Sequence, residues 1–385
     1  MAGDSVQIRS LRNKALSDWA QRTKLVRLLS VNDKMPACFT FDSGERILVT
    51  GASGFIGNRL VACLLDRGFR NVCRLVRPSG GTGSSEAATK LGDSAVETIE
   101  GNLLSRDDCH NATQGVHVVY HLAAGRGEKS FPDAYANSVV TTRNLLDACV
   151  QHGCLKRFVN VSSFAVYTNQ NKPGGHLLDE NCPVESQPAR RANAYCFAKL
   201  RQEEMVSEYA RKHGLSCVTL RPGWVYGPGN EAIHGRVGIG TFGLFLHLGG
   251  SNRVPLSYVD NCAEAIVLAG LADGVDGEVF NILDNDLPTS RQFLRAYKRK
   301  VKHFRSVYLP QELSYLACWL WEKAAAWSEG QLPPIYGRAA WHANWKRTKY
   351  SNEKLKHRLG WKQTVPTSEG LRRYFAACRE KAAIS

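Results

Sequence analysis

The stretch "YCFAK" sets Tyr195 and Lys199 four residues apart, so a helix would carry both on one face. A free tyrosine has a pKa near ~10 and is a poor base at neutral pH. A lysine cation beside it stabilises tyrosinate and lowers that pKa. Such a pair can exchange a proton with an alcohol or a carbonyl oxygen. "VSSFAVY" adds Ser162 and Ser163 at a predicted strand end, where a hydroxyl can orient the same oxygen. "VTGASGFIGNRL", Val49 to Leu60, supplies a third element. Its glycines follow a short apolar run, Ile47 to Thr50, that reads as a buried strand. Gly51 permits a tight turn, Gly54 a close approach of phosphate, and Gly57 close packing of helix on strand. The helix that follows would offer unpaired N–H groups and a positive dipole end to a pyrophosphate. A purely structural turn is the alternative for the glycines, and surface decoration the alternative for an isolated tyrosine and lysine.

These residues need a frame, and the chain supplies alternation. From Glu45, strand signals ("RILVTG", "NVCRLVR", "AVETIEGN", "VHVVYHLAA", "KRFVNVSS", "LSCVTLRP") alternate with helical ones at Phe55–Arg67, Phe131–His152 and Asn193–His213. Pro78 to Glu86 reads as a loop without core content. Such alternation implies right-handed crossovers and a doubly wound, Rossmann-like parallel sheet of the α/β class. After Pro222 the pattern breaks into a glycine-rich stretch, then strand–helix–strand at 254–285, then helices to the end. The expected organisation is a basic, helical N-terminal extension (1–43), a dinucleotide-binding domain (44–230), and a smaller, discontinuous substrate subdomain (231–385). Within that subdomain, 254–285 returns to the Rossmann body.

Composition bounds the rest. The 43% hydrophobic content of 385 residues supports a sizeable core. The 12 cysteines are scattered with no CxxC pair, as for buried thiols in a reducing compartment, and neither a disulfide framework nor a metal site is expected. No apolar run reaches spanning length and no secretory signal is visible, so the expected location is cytoplasmic. The net charge of +15 is concentrated after Arg291, where 20 Lys+Arg face 6 Asp+Glu. A membrane surface, an anionic substrate or a bare solvated face would each account for that field, and nucleic acid is the weakest candidate.

The spacing G-x-x-G-x-x-G resembles the extended short-chain dehydrogenase/reductase family (the NAD-dependent epimerase/dehydratase superfamily). Its other marks occur in order: "HLAA" (His121 to Ala124), Asn137 in "YANSVVTTRNLLDAC", the serine strand, "YCFAK" and "LRPGWVYGPG" (Leu220 to Gly229). The resemblance covers roughly residues 45 to 375. It implies Ser163, Tyr195, Lys199 and Asn137 as catalytic residues, with Ser163 preferred over Ser162 because the family's serine lies three before the valine, here Val166. It implies a cofactor site of Gly51, Ser53, Gly54, Phe55, Ile56, Gly57, Arg77, Asn102, Leu103, Leu122, Ala123, Ala124, Tyr195, Lys199, Pro222 and Gly223. The position that carries an acidic residue in NAD-binding relatives is Val76, followed by Arg77, which favours NADP(H) over NAD(H). Family dehydratases place Asp-Glu after the serine, whereas Phe164 and Ala165 stand here and disfavour dehydration.

"RVPLSYVDN" is similar to the 3β-hydroxysteroid dehydrogenase and dihydroflavonol reductase branches, and "YLPQELSYLACWLWEKAAAW" to the steroid dehydrogenase branch. The expected activity is alcohol–ketone oxidoreduction on a bulky, hydrophobic, steroid- or lipid-like molecule. A nucleotide-sugar 4-epimerase is the alternative, and a non-catalytic dinucleotide-binding regulator a second one. Relatives pair through the two long helices, implying a homodimer. Trp319, Leu320, Trp321 and Trp327 follow the cationic "KRKVKHFR" and suggest peripheral membrane association, with the core face of a subdomain helix as the competing reading.

Overall fold

The computed structural model describes residues 41–78, 96–125, 130–191, 193–241, 243–329, 331–332 and 336–384. The N-terminal helix expected within 1–43 and almost all of the Pro78–Glu86 loop lie outside the described residues.

In chain order the first elements are β1 (Ile47–Thr50), α1 (Gly57–Asp66), β2 (Val72–Val76), β3 (Val96–Glu100), α2 (Arg106–Ala112) and β4 (Val118–His121). Next come α3 (Phe131–Tyr135), a π-helical turn (Ala136–Val140), α4 (Thr141–His152), β5 (Arg157–Val161), β6 (His176–Leu178), α5 (Ala194–His213) and β7 (Cys217–Pro222). Seven strands form one parallel sheet in the order β12-β7-β5-β4-β1-β2-β3, in which β12 is Val279–Ile282. Every residue of β1 is fully buried, because helices cover both faces of a parallel sheet, and the hydroxyl of its one polar residue, Thr50, is bonded to His121. The strand order reverses between β1 and β4, and a ligand crevice is expected outside the carboxyl ends of those strands.

Two apolar clusters sandwich the sheet. On one face α1 and α6 (Val259–Leu271) contribute Leu60, Leu64 and Ile266 to a cluster that also holds Phe280 of β12. On the other, Leu75, Leu145, Leu146, Phe158 and Val206 join α4 and α5 to the strands. The segment 254–285 supplies β11 (Leu256–Tyr258), α6 and β12, of which β12 is an edge strand of the main sheet. β11 pairs with β8 (Trp224–Tyr226).

The glycine-rich stretch carries two strands. β9 (Gly238–Thr241) and β10 (Leu244–His247) form an antiparallel pair, extended by β13 (Ser306–Tyr308). Gly238 makes this possible, since a Cβ there would sit 2.1 Å from the carbonyl oxygen of Leu246. The expectation of helices alone after 285 is corrected. Between α7 (Ser290–Lys300), α8 (Gln311–Trp327), α9 (Arg338–Asn344), α10 (Glu353–Leu359) and α11 (Thr367–Ile384) lie β13 and β14 (Thr348–Tyr350). Both strands have only three residues and pair with segments distant in sequence, so they carry no local periodicity. An aromatic cluster of Trp224, Tyr226, Tyr258, Phe293, Tyr374 and Phe375 ties α7 and α11 to the β8–β11 pair.

Candidate active site

The turn after β1 is as tight as its glycines allow. Gly51 has φ +69°, and a Cβ on it would lie 2.8 Å from the Ala123 nitrogen. A Cβ on Gly57 would lie 2.2 Å from the Gly51 oxygen, so the start of α1 rests directly on the turn. The helix opens at Gly57, two residues later than the periodicity predicts, because a Gly54 N–H···O Gly51 turn (3.0 Å) occupies the preceding residues. The N–H groups of Phe55 and Ile56 have no protein acceptor among the described residues. A cradle without side chains, edged by unpaired donors at a helix start, fits a pyrophosphate.

One cleft of about 630 Å³ runs from this turn across the sheet ends. It is lined by Gly51, Ser53, Gly54, Phe55, Ile56, Gly57, Arg77, Asn102, Leu103, Leu122, Ala123, Ala124, Pro222 and Gly223. Asn137, Ser163, Tyr195 and Lys199 line it too, so the structure brings every residue of the implied catalytic and cofactor sets to one cavity. Gly223 could not be replaced by a larger residue, as its Cβ would meet the Pro255 oxygen at 2.3 Å. Arg77 is exposed at the cleft wall just beyond Val76. Asn102 turns its Oδ1 to the Leu104 N–H (3.0 Å), which leaves the amide donors for a base edge.

Ser163 caps a short 3₁₀ turn, Phe164–Val166, and its Oγ accepts the Ala165 N–H at 3.1 Å. The hydroxyl proton is therefore available to a substrate oxygen. Ser162, also on the cleft, is 4% exposed, and its buried Oγ has no partner. Tyr195 and Lys199 project from α5, whose N-terminus is capped by Asn193 Oδ1 accepting Cys196 N–H (2.8 Å). Lys199 is buried, and burial pushes its pKa down to about 8 while Glu203 opposes the shift. Its ammonium donates to the Val161 carbonyl (2.6 Å) and to Gln202 Oε1 (2.9 Å). A third donor remains.

The long helix expected over Phe131–His152 is interrupted. Ala136–Val140 is π-helical, and Asn137 sits in that turn. The wider turn is sustained by side chains: Thr141 Oγ1 donates to the Asn137 carbonyl (3.0 Å) and Thr142 Oγ1 to that of Ser138 (2.5 Å). Single π-turns inside α-helices concentrate at functional sites.

Sequence reasoning missed the network behind Lys199. Gln202 Nε2 donates to Thr142 Oγ1 (2.9 Å), which also contacts His121 Nε2 (2.8 Å). The Thr142 proton goes to Ser138, so Nε2 of His121 carries the hydrogen and Nδ1 accepts from Thr50 Oγ1 (2.8 Å). Burial, aided by the Lys199 charge, holds His121 at a pKa of about 3, so it stays neutral. "HLAA" flagged the histidine, but no spacing links it to residues 71, 21 and 81 positions away. Beyond Tyr195 the cleft wall continues with Trp224, Val225, Asn230 and His234, also unforeseen. Asn230 is fixed by its bond to the Val225 carbonyl (2.8 Å), and Trp224 and His234 rings lie 5.3 Å apart. Burial, with Arg236 adding to it, keeps His234 neutral near 3.

Residues 47–282 match the family model "NAD dependent epimerase/dehydratase family". The chain belongs to that family. This is an enzyme family of the extended short-chain dehydrogenase/reductase kind, built on a Rossmann-like sheet and a nicotinamide dinucleotide. Among its relatives is the 3beta-hydroxysteroid-dehydrogenase/decarboxylase isoform 2 of Arabidopsis thaliana, 26% identical over 85% of this chain and 60% of that protein. The 2-alkyl-3-oxoalkanoate reductase of Stenotrophomonas maltophilia is 28% identical over 86% of this chain and 99% of its own. The chain thus spans 60% of the length of that plant relative, and 56% of that of another. A UDP-glucuronic acid 4-epimerase from Bacillus cereus, solved in complex with NAD, superposes with a TM-score of 0.66. That match covers 88% of this chain and 98% of that one at 22% identity, a likeness of fold.

Proposed function

We propose that this family member is an NADP(H)-preferring oxidoreductase that interconverts an alcohol and a ketone on a bulky, apolar substrate. The observation that carries the reading is the meeting of Ser163, Tyr195 and Lys199 in one cleft with the glycine cradle. When bound, the nicotinamide supplies or accepts the hydride. Tyr195 Oη gives or takes the proton of the reacting oxygen, and the free proton of Ser163 Oγ holds that oxygen in place. Lys199, fixed by Val161 and Gln202, supplies the positive charge that favours tyrosinate. Asn137 completes the site from the π-turn. Phe164 and Ala165 follow the serine where elimination chemistry would need acids.

Arg77 at the cleft wall, with Val76 and no carboxylate ending β2, supports a 2′-phosphate and hence NADP(H). Trp224, Val225 and neutral His234 support an apolar substrate, as do relatives named for an oxoalkanoate and a steroid. We place the enzyme in a reducing compartment, the cytoplasm, because the eleven cysteines among the described residues are free, most of them buried. We also propose a homodimer through the α3–α4 and α5 helices, to be checked by light scattering.

One observation favours a second reading, a nucleotide-sugar 4-epimerase. Arg236 bonds the Tyr350 hydroxyl (3.3 Å) and, among the described residues, no carboxylate, and the Tyr350 ring packs 5.8 Å from Phe164 beside Ser163. A guanidinium so placed would suit an anionic substrate group. Incubation with sterols, long-chain oxo acids, aryl ketones and UDP-sugars, following NAD(P)H absorbance and sugar products, tests the reading. Net change in NAD(P)H is expected with an apolar ketone or alcohol. Sugar conversion without net change selects the epimerase, and no turnover selects a non-catalytic regulator.

A further inference from the structure

We propose that the outward face of α8, together with the basic segment that precedes it, docks on an anionic lipid surface. α8 is apolar on two sides. Its inner side places Ser314, Cys318 and Ala325 against the body, where the Trp341 indole N–H donates to Ser314 Oγ (2.8 Å). Trp321 also turns inward, 5.7 Å from the Tyr336 ring, so this member of the tryptophan cluster is not part of the outer face.

The opposite side should be polar in a surface helix. Here it carries Leu313, Leu316 and Leu320, exposed by 53%, 48% and 54%, and Trp327, exposed by 87%. At 100° per residue these four fall within an arc of about 60°. Trp319 is exposed at its border. Apolar side chains aligned this way and left to solvent mark an interaction surface. Among the described residues no helix is long and apolar enough to cross a membrane, and Glu322 and Lys323 interrupt α8 itself. An in-plane, interfacial position is what such a helix can take.

Charge selects the occupant. Leu287 to Gln311 contains seven Lys+Arg and no Asp or Glu. Arg291, Arg295, Arg299, Lys300, Lys302 and Arg305 are exposed. The chain passes from them through Val307 and Tyr308, themselves exposed by 49% and 42%, straight into α8. Aromatic and aliphatic side chains continuous with a one-sign cationic run match an anionic leaflet. A second copy meeting this face about a two-fold axis would set the same cations against each other.

The test is co-sedimentation of the full chain with vesicles of phosphatidylcholine alone and with roughly one third phosphatidylserine. Binding to the anionic vesicles at low salt, lost at high salt and absent with neutral vesicles, is expected. Leu316→Glu/Leu320→Glu should weaken it at least tenfold without changing NAD(P)H binding. Trp327→Ala is a milder variant of an almost wholly exposed residue and should weaken it several-fold. Arg299→Ala/Lys302→Ala should weaken it about fivefold per cation removed. No binding to anionic vesicles at low salt overturns the proposal. So does unchanged binding in the leucine double variant, which would mean adsorption by charge alone. A dimer that falls apart in that variant without vesicles also overturns it, and assigns the face to a second copy.

Discussion

Gln202→Leu is a sensitive probe of the lysine proposed to act in catalysis, because it alters Lys199 at a residue outside the cleft lining. Lys199 is 3% exposed and held by two acceptors, Val161 O and Gln202 Oε1. Leucine removes the second. A hydrogen bond to a charged group contributes about 1.5–3 kcal/mol. One pKa unit corresponds to about 1.4 kcal/mol, so the ammonium should become easier to deprotonate by about one to two units. Its starting value of about 8 is already lowered by burial. In the proposed mechanism Tyr195 works with Lys199 as a cation, so the alkaline limb of the kcat profile should move to lower pH by that amount. Gln202→Glu places a carboxylate at the same position and should move the limb upward. Stability carries the same sign. The folded pKa lies below the unfolded value, so the unfolded chain binds this proton more tightly. The penalty of the buried cation is present below about 8 and fades as pH rises toward the unfolded value, near ~10. Thermal midpoints of the wild type should thus gain from this group between those limits, and in Gln202→Leu the window should open lower. If the alkaline limbs of wild type, Gln202→Leu and Gln202→Glu coincide, Gln202 does not set the charge of Lys199 and the reasoning fails.

Gly57→Ala should abolish dinucleotide binding and destabilise the fold by about 1–3 kcal/mol, since its Cβ meets three backbone atoms within 2.9 Å and none can retreat. Titration with NAD(P)H and thermal melts check both parts. Arg77→Ala should lower NADPH affinity about 10- to 100-fold and leave NADH affinity nearly unchanged, as one charge-assisted contact is worth about 1.5–3 kcal/mol. Equal losses for the two cofactors would show that Arg77 does not read the 2′-phosphate. Ser163→Ala should reduce kcat while cofactor affinity is kept, whereas Ser162→Ala, which only removes a buried hydroxyl without a partner, should be near wild type in kcat.

The Rossmann body was legible because its signals are local. The β1 glycine turn, the buried strands and the Tyr195–Lys199 spacing each fit within a dozen residues. What escaped depends on distance or on exposure. His121, Thr142 and Gln202 become neighbours only when β4, α4 and α5 stack against one another, and none of the three lies in a spacing that forecasts the contact. The π-turn at Asn137 escaped because an inserted residue leaves the apolar periodicity on either side intact. β13 and β14 are three-residue strands whose identity comes from their partners. α8 has apolar residues nearly all round, so composition could not say which side is core, and only the exposures of Leu313, Leu320 and Trp327 distinguish the faces.

Net redox chemistry driven by Tyr195 is tested most directly by stoichiometric NADPH consumption by wild type and Tyr195→Phe with a bulky apolar ketone. One NADPH oxidised per alcohol formed is expected of the wild type. A fall in kcat of about 10²- to 10⁴-fold is expected of Tyr195→Phe, with cofactor affinity retained. Turnover of Tyr195→Phe within a few-fold of wild type, or conversion of a UDP-sugar with no net NADPH change, would contradict the proposed chemistry.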